Sequence, residues 1–269
     1  MRDDFLLYPG CVIPSKLPYL EAAAVFILER LEVTASPFPE FSCCFEPVGL
    51  RSLGPETWLG ACGRLHSLAA GRPLLTLCDG CTLSLFESGR ILSHEGTERR
   101  EVQGLMRELN RSLEQVSEVV GLLELLHSRL ESIKRCMVKK QRIRLLIHPG
   151  CHCEHICHEK GLSAVKMMED IVLALGGEPD TPSEGLCCGG GLTSVNDALG
   201  RSIMEDALDG MEALGAEAII TSCPFCFTQF DVIGRRIPVL HLAELCAWAL
   251  GWEVDSTSFH RTRLRPSAD

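Results

Sequence analysis

Arg144-Leu145-Leu146-Ile147-His148-Pro149-Gly150-Cys151 reads as a short apolar strand, stopped by a Pro-Gly turn that hands the chain to a cysteine. Asp4-Phe5-Leu6-Leu7-Tyr8-Pro9-Gly10-Cys11 makes the same statement near the start. Outward from each, further cysteines recur in one order. Cys11 is followed by Cys43-Cys44 and then Cys78-Asp79-Gly80-Cys81; Cys151 is followed by Cys187-Cys188 and then Cys223-Pro224-Phe225-Cys226. The intervening gaps are 31 and 33 residues in the first set and 35 and 34 in the second, so the chain carries one pattern twice. The glycine before Cys11 and Cys151 allows a sharp turn and a close backbone approach to a bulky group.

The stretches between cysteines support the duplication. In the first half Ser15 is a candidate cap for a helix whose apolar stripe is Leu17, Leu20, Ala24, Ile27, Leu28 and Leu31, with Pro18 tolerated in its first turn. In the second, Ser163 caps a helix with stripe Val165, Met168, Ile171, Val172 and Leu175, which Gly176-Gly177 stops. Pro73–Leu77 and Ala218–Thr221 are strands leading into each Cys-x-x-Cys turn. Each half therefore reads strand, helix, Cys-Cys, helix, strand, Cys-x-x-Cys, helix. Strands alternating with helices predict an α/β fold of two pseudo-symmetric, Rossmann-like lobes, each a parallel sheet with helical cover. The expected boundaries are 1–95 for the first lobe and 141–269 for the second. Between them, residues 96–140 show apolar positions from Val102 to Ile133 at three- and four-residue steps, which predicts a helical connector, whole or broken near Gly121. The polar tail after Trp252 is expected to be loosely ordered.

Bulk properties narrow the function. With 46% hydrophobic and 23% charged residues, the 269-residue chain is of ordinary soluble composition. No apolar run reaches the roughly 18 residues of a membrane span, and Met1-Arg2-Asp3-Asp4 lacks a secretory build, so a cytoplasmic location without direct membrane insertion is expected. A net charge of −10 disfavours nucleic acid as a partner, because displacing counterions from phosphate needs a basic face.

Fifteen cysteines in a reducing compartment point to metal or redox chemistry rather than to disulfides. Thiolates select zinc, copper(I) or iron–sulfur centres. Structural zinc takes four ligands and so does a conventional cubane cluster, whereas each half offers five. Adjacent cysteines cannot easily both face one small ion, but they can reach two irons of a larger cluster. Iron–sulfur chemistry is the leading reading; two zinc sites, or a thioredoxin-type dithiol at Cys223–Cys226, remain as alternatives. Gly189-Gly190-Gly191 allows backbone approach after Cys188, where the first half has the bulkier Phe45-Glu46-Pro47. Of the other cysteines, Cys62 and Cys246 read as core and Cys136 has no partner in sequence. Cys153 and Cys157 are one helical turn apart beside His155 and His158, a possible further metal or redox site set against a plain helix entry. His148, His152 and His155 near Cys151 are candidate proton donors, set against ordinary surface histidines. No Gly-x-Gly-x-x-Gly dinucleotide turn is present.

With ten cysteines in register twice, the chain resembles the Cys-Cys-Gly domain family, most of all the B subunits of heterodisulfide reductases, over about residues 5–250. Cys187-Cys188-Gly189 matches the family signature, and Cys43-Cys44-Phe45 departs from it. The resemblance implies two noncubane [4Fe–4S] clusters facing each other between the halves. Cys11, Cys43, Cys44, Cys78 and Cys81 would hold one, proximal, cluster; Cys151, Cys187, Cys188, Cys223 and Cys226 would hold the other. It further implies an oxidoreductase that splits a small-molecule or protein-bound disulfide. An iron–sulfur electron-donor subunit, itself served by a flavin-containing subunit, would feed it. An electron-transfer subunit of another oxidoreductase complex, without substrate chemistry of its own, is the alternative.

Overall fold

The strand that delivers Cys11, β1 (Asp4–Tyr8), is the second strand of a four-stranded parallel sheet, and the strand that delivers Cys151 has the same place in a second sheet. The computed structural model describes residues 4–37, 40–45, 48–182, 187–193, 195–232 and 237–264. The first lobe continues with α1 (Val12–Lys16), α2 (Pro18–Arg30), β2 (Thr34–Pro37), α3 (Gly49–Leu53), α4 (Pro55–Ala69), β3 (Leu74–Thr76), α5 (Asp79–Ser93), α6 (Thr97–Glu108), β4 (Val119–Gly121), α7 (Leu122–Ser128) and α8 (Leu130–Cys136). The second lobe runs β5 (Arg144–His148), α9 (Cys151–Glu159), α10 (Ala164–Ala174), β6 (Glu178–Asp180), α11 (Asp197–Ala213), β7 (Ala218–Thr221), α12 (Pro224–Val232), β8 (Val239–His241) and α13 (Leu242–Ala249).

The strand orders are β2-β1-β3-β4 and β6-β5-β7-β8, with every pairing parallel. The α/β reading with two pseudo-symmetric lobes therefore holds. Central strands are buried apolar runs, as helices on both faces demand: Leu74, Leu75, Leu145, Leu146, Ile219 and Ile220 are fully buried. Pro37 in β2 and Pro179 in β6 lie on edge strands, where a missing N–H breaks no ladder. In both sheets the order reverses between the first and third strands of the lobe. That reversal opens a crevice at the carboxyl ends, the usual ligand position of doubly wound sheets. The Pro-Gly-Cys turn leaves β1 there and the Cys-x-x-Cys turn leaves β3, so topology alone puts both at one spot.

The lobes are joined by exchanged helices. α13 of the second lobe packs on α2 of the first, and its counterpart α7 packs on α10. One apolar core thus runs through both, from Leu20 and Ile27 to Leu245 and Leu146. Among the described residues, no helix is long and apolar enough to cross a membrane.

Four expectations need correction. The expected helical connector contains β4, paired in register Leu74↔Val119 and Thr76↔Gly121, so the first sheet is completed inside residues 96–140. Helices on either side carry the three-four period across this three-residue strand and conceal it. Ser163 caps α10 by accepting from the Lys166 amide at 3.3 Å, but Ser15 caps nothing: its hydroxyl donates back to the Cys11 carbonyl at 2.6 Å, and α2 starts only at Pro18. Pro73 and Leu77, expected at the ends of a strand, lie outside β3. The tail is anchored as far as His260, because Ser256 and His260 are buried against the Glu244 carboxylate; residues 265–269 lie outside the described residues.

Candidate metal centres

All five cysteines of the first set line one small cavity of about 20 Å³, together with Val12, Gly80 and Phe225. Cys11 directly precedes α1, Cys78 directly precedes α5, Cys81 sits in the first turn of α5, and Cys43-Cys44 come from the loop after β2. The Cys11 and Cys43 sulfurs are 3.7 Å apart, and Cys44 and Cys81 are 3.1 Å apart. All five cysteines of the second set line a larger cavity of about 180 Å³, with Val48, His152, Gly189–Gly191, Leu192 and Phe225. None of the fifteen thiols is in a disulfide.

Glycines make the approach possible. Gly10 has φ +78°, and a Cβ there would lie 2.8 Å from the Cys81 sulfur; Gly150 has φ +84°, and a Cβ there would lie 3.1 Å from the Cys226 sulfur. The Cys-Cys turns match equally well. Phe45 and Gly189 both adopt positive φ, +52° and +69°, and each amide donates to the first sulfur of its pair at 3.4 Å.

Crowding and burial shift the thiols in opposite directions. Cys43 is drawn down to about 2 because Cys11, Cys44 and the Phe45 amide all donate to it. Cys44, Cys81 and Cys226 are pushed well above the thiol range by hydrogen bonds to neighbouring sulfurs and by burial. Cys188 falls to about 7 as Cys226 donates to it, and burial raises Cys151 to about 11. Five thiolates can coexist in such a space only with a multiply charged cation among them. A single tetrahedral ion would need its ligands to converge on a point. Each cavity is lined instead by five cysteines, one more than such an ion takes. The donor set fits an iron–sulfur group better than zinc.

The two centres share a seam. Phe225 lines both cavities, the Gly80 backbone lies against the His152 ring, and Gly191 lies against Val48 of the first lobe. Ser222 Oγ donates to Asp79 Oδ2 across the seam at 2.8 Å. Burial pushes the Asp79 carboxyl up to about 7. Of the three candidate proton donors, His152 lines the second cysteine cavity, and His148 and His155 line neither. His148 is buried edge-on to Phe230, and burial lowers it to about 4, so it is neutral at physiological pH. His155 is on the surface, 3.2 Å from Glu87 of the first lobe.

Cys62 and Cys246 are fully buried core thiols, and Cys136 donates to the Arg30 carbonyl at 3.5 Å. Cys153 and Cys157 are buried on α9 and hydrogen-bonded to each other, which raises the first and lowers the second; they line neither cavity. Asp79, Ser222, Phe225 and Val48 are not distinguished by any sequence pattern. The one available signal is an acid placed between two ligand cysteines.

The profile described as "Cysteine-rich domain" (CCG) matches residues 5–86 and 145–231, one match per lobe. The chain belongs to the CCG family. It is 28% identical over 279 residues to the B subunit of the ferredoxin/F420H2-dependent CoB-CoM heterodisulfide reductase of Methanosarcina acetivorans, covering 96% of this chain and 93% of that one. It is 25% identical to the 8-methylmenaquinol:fumarate reductase membrane anchor subunit of Wolinella succinogenes, covering 93% of each. It is 26% identical to the glycolate oxidase iron-sulfur subunit of Escherichia coli, covering 91% of this chain and 58% of that one. A solved structure of a hypothetical protein from Helicobacter pylori superposes with a TM-score of 0.76 at 15% identity, over 98% of this chain and 53% of that one, which bears on the fold alone.

Proposed function

We propose that this CCG protein is an iron–sulfur subunit of a heterodisulfide reductase-like complex, and that it reduces a disulfide or related sulfur species between two noncubane [4Fe–4S] clusters. Likeness to the B subunit of a heterodisulfide reductase along 96% of the chain supports the class. The observation that carries the reading is the pair of five-cysteine cavities meeting at Phe225. Cys11, Cys43, Cys44, Cys78 and Cys81 would hold one cluster, and Cys151, Cys187, Cys188, Cys223 and Cys226 the other. Such clusters, when bound, supply one-electron storage and iron with affinity for sulfur.

The overall change is RSSR′ + 2e⁻ + 2H⁺ → RSH + R′SH, with the S–S bond broken and both sulfurs reduced. The chain's own groups serve it in three ways. Gly189–Gly191 and Gly80 let backbone approach the sulfur-rich space without side-chain hindrance. Phe225 and Val48 give the seam an apolar wall. His152, which lines the second cavity, would donate a proton to a leaving thiolate. The electrons come from outside, since the sequence has no dinucleotide turn. An iron–sulfur donor subunit served by a flavin subunit is the partner this scheme requires.

Iron and acid-labile sulfide analysis of anaerobic protein tests the cofactor, with about eight irons per chain expected for two four-iron clusters. EPR of the oxidised protein with and without a small thiol tests the chemistry. A thiol-dependent signal supports substrate reduction. An unchanged signal favours an electron-transfer subunit, a reading that likeness to the fumarate reductase and glycolate oxidase subunits keeps in play.

A further inference from the structure

We propose that Asp79 and Ser222 are a positioning pair that sets the separation of the two cysteine quintets, and with it the span a sulfur substrate must bridge. The proposal rests on the seam being the place of sulfur chemistry, and it names two residues that the ligand pattern does not include. Asp79 lies between Cys78 and Cys81 in the first turn of α5. Ser222 directly precedes Cys223. Its hydroxyl donates to Asp79 Oδ2 at 2.8 Å and lies 3.3 Å from the Pro149 carbonyl, just before Gly150-Cys151. One hydroxyl therefore ties the Cys-x-x-Cys turn of the first lobe to both turns that deliver Cys151 and Cys223 in the second.

The pair is only 6% and 4% exposed, so water does not compete for the bond, and loss of Ser222 leaves the buried Asp79 carboxyl without this donor. The fold does not need it. By the internal repeat, the position equivalent to Ser222 is Leu77 and that equivalent to Asp79 is Pro224. Both are buried and apolar, so the mirror-image bond cannot form, yet the same turns fold around them. The other ties between lobes lie away from the cysteine turns: Lys160 reaches Glu124 and the Val119 carbonyl, His127 meets Asp170, and Arg90 meets Glu159. The exchanged helices α7 and α13 hold by apolar contact, which resists separation but is non-directional. These pairs, with His155–Glu87, are each partly exposed and weak. A buried hydrogen bond with defined geometry is what fixes register at the seam.

The test uses anaerobically purified full-length protein with Ser222→Ala, Asp79→Ala, the double variant, and Asp79→Asn, which keeps an acceptor oxygen. The first readout is magnetic coupling between paramagnetic centres by EPR, at iron content equal to wild type. The second, on protein stripped of metal, is hydrogen exchange of the segments around Cys78–Thr82 and Gly150–Glu154. Loss of the bond is expected to alter the coupling and to speed exchange in both segments about tenfold, the factor equal to about 1.4 kcal/mol. The double variant should be no worse than either single one, and Asp79→Asn should stay near wild type. Unchanged coupling and exchange in Ser222→Ala, or additive effects in the double variant, would overturn the pairing. Wild-type protein without iron would sink the cluster reading instead, while the exchange measurement still judges the pair.

Discussion

The two Cys-Cys turns adopt one backbone conformation for different reasons. Phe45 and Gly189 both have positive φ and both donate an amide to the first sulfur of the pair. A Cβ at Gly189 would lie 2.0 Å from the Gly200 carbonyl oxygen, because α11 packs its backbone directly on the turn. Phe45 carries a whole ring, 37% exposed, at the same point. The glycine of the family signature is thus demanded here by a neighbouring helix and not by the sulfurs. A lobe without that close contact dispenses with it.

Gly189→Ala breaks the comparison most severely. The Gly200 backbone has to shift, so a loss of roughly 3 kcal/mol or more is expected, together with any iron that the proposed second site holds. Thermal melting and iron per chain falling to about half would show it; full iron and an unchanged melt would refute the steric account. A difference in acid response comes next. The first strand of each lobe ends in Tyr8 or in His148, and burial holds His148 at about 4 against an ordinary 6.5. An unfolded state binds the proton earlier, so stability is full above about pH 6.5 and is lost as pH falls towards 4, by up to roughly 3 kcal/mol. Denaturant unfolding of His148→Tyr should show a smaller loss over that window than wild type. Phe45→Gly sharpens the comparison gently. It relieves a left-handed non-glycine residue worth roughly 1 kcal/mol and adds a similar unfolded-state entropy, so stability should stay within about 1 kcal/mol with iron retained. His155→Ala should be smallest, within about 0.5 kcal/mol by chemical denaturation, since its pair with Glu87 is solvent-screened.

These contrasts also mark what the sequence could disclose. Ala218–Thr221 and the two Pro-Gly-Cys strands were legible because apolar runs end in turn residues, and the internal repeat confirmed each against the other. β2, β6 and β4 were not. Ser36-Pro37 and Glu178-Pro179 look like loops because edge strands tolerate proline, and Val119–Gly121 is too short to interrupt a helical period. The cysteine sets were legible as spacing. The seam was not, because Asp79 meets Ser222 across 143 positions of chain, and no local pattern encodes that meeting. The tail misled for a similar reason: Ser256 and His260 are polar because Glu244, buried in α13, needs them.

Strand β4 moves the frontier of the inherited module. A gene cut after residue 95 would encode a fragment without its outermost strand and without α7, the arm that grips the neighbouring lobe; a cut near residue 138 would spare both. A half-length ancestor of that longer kind could embrace its own twin, each lending the other a helix, with two identical sulfur nests brought face to face. Fusion of such twins would free each copy to diverge, and Asp79 with Ser222, facing Pro224 and Leu77 in the opposite roles, bears the mark of that freedom.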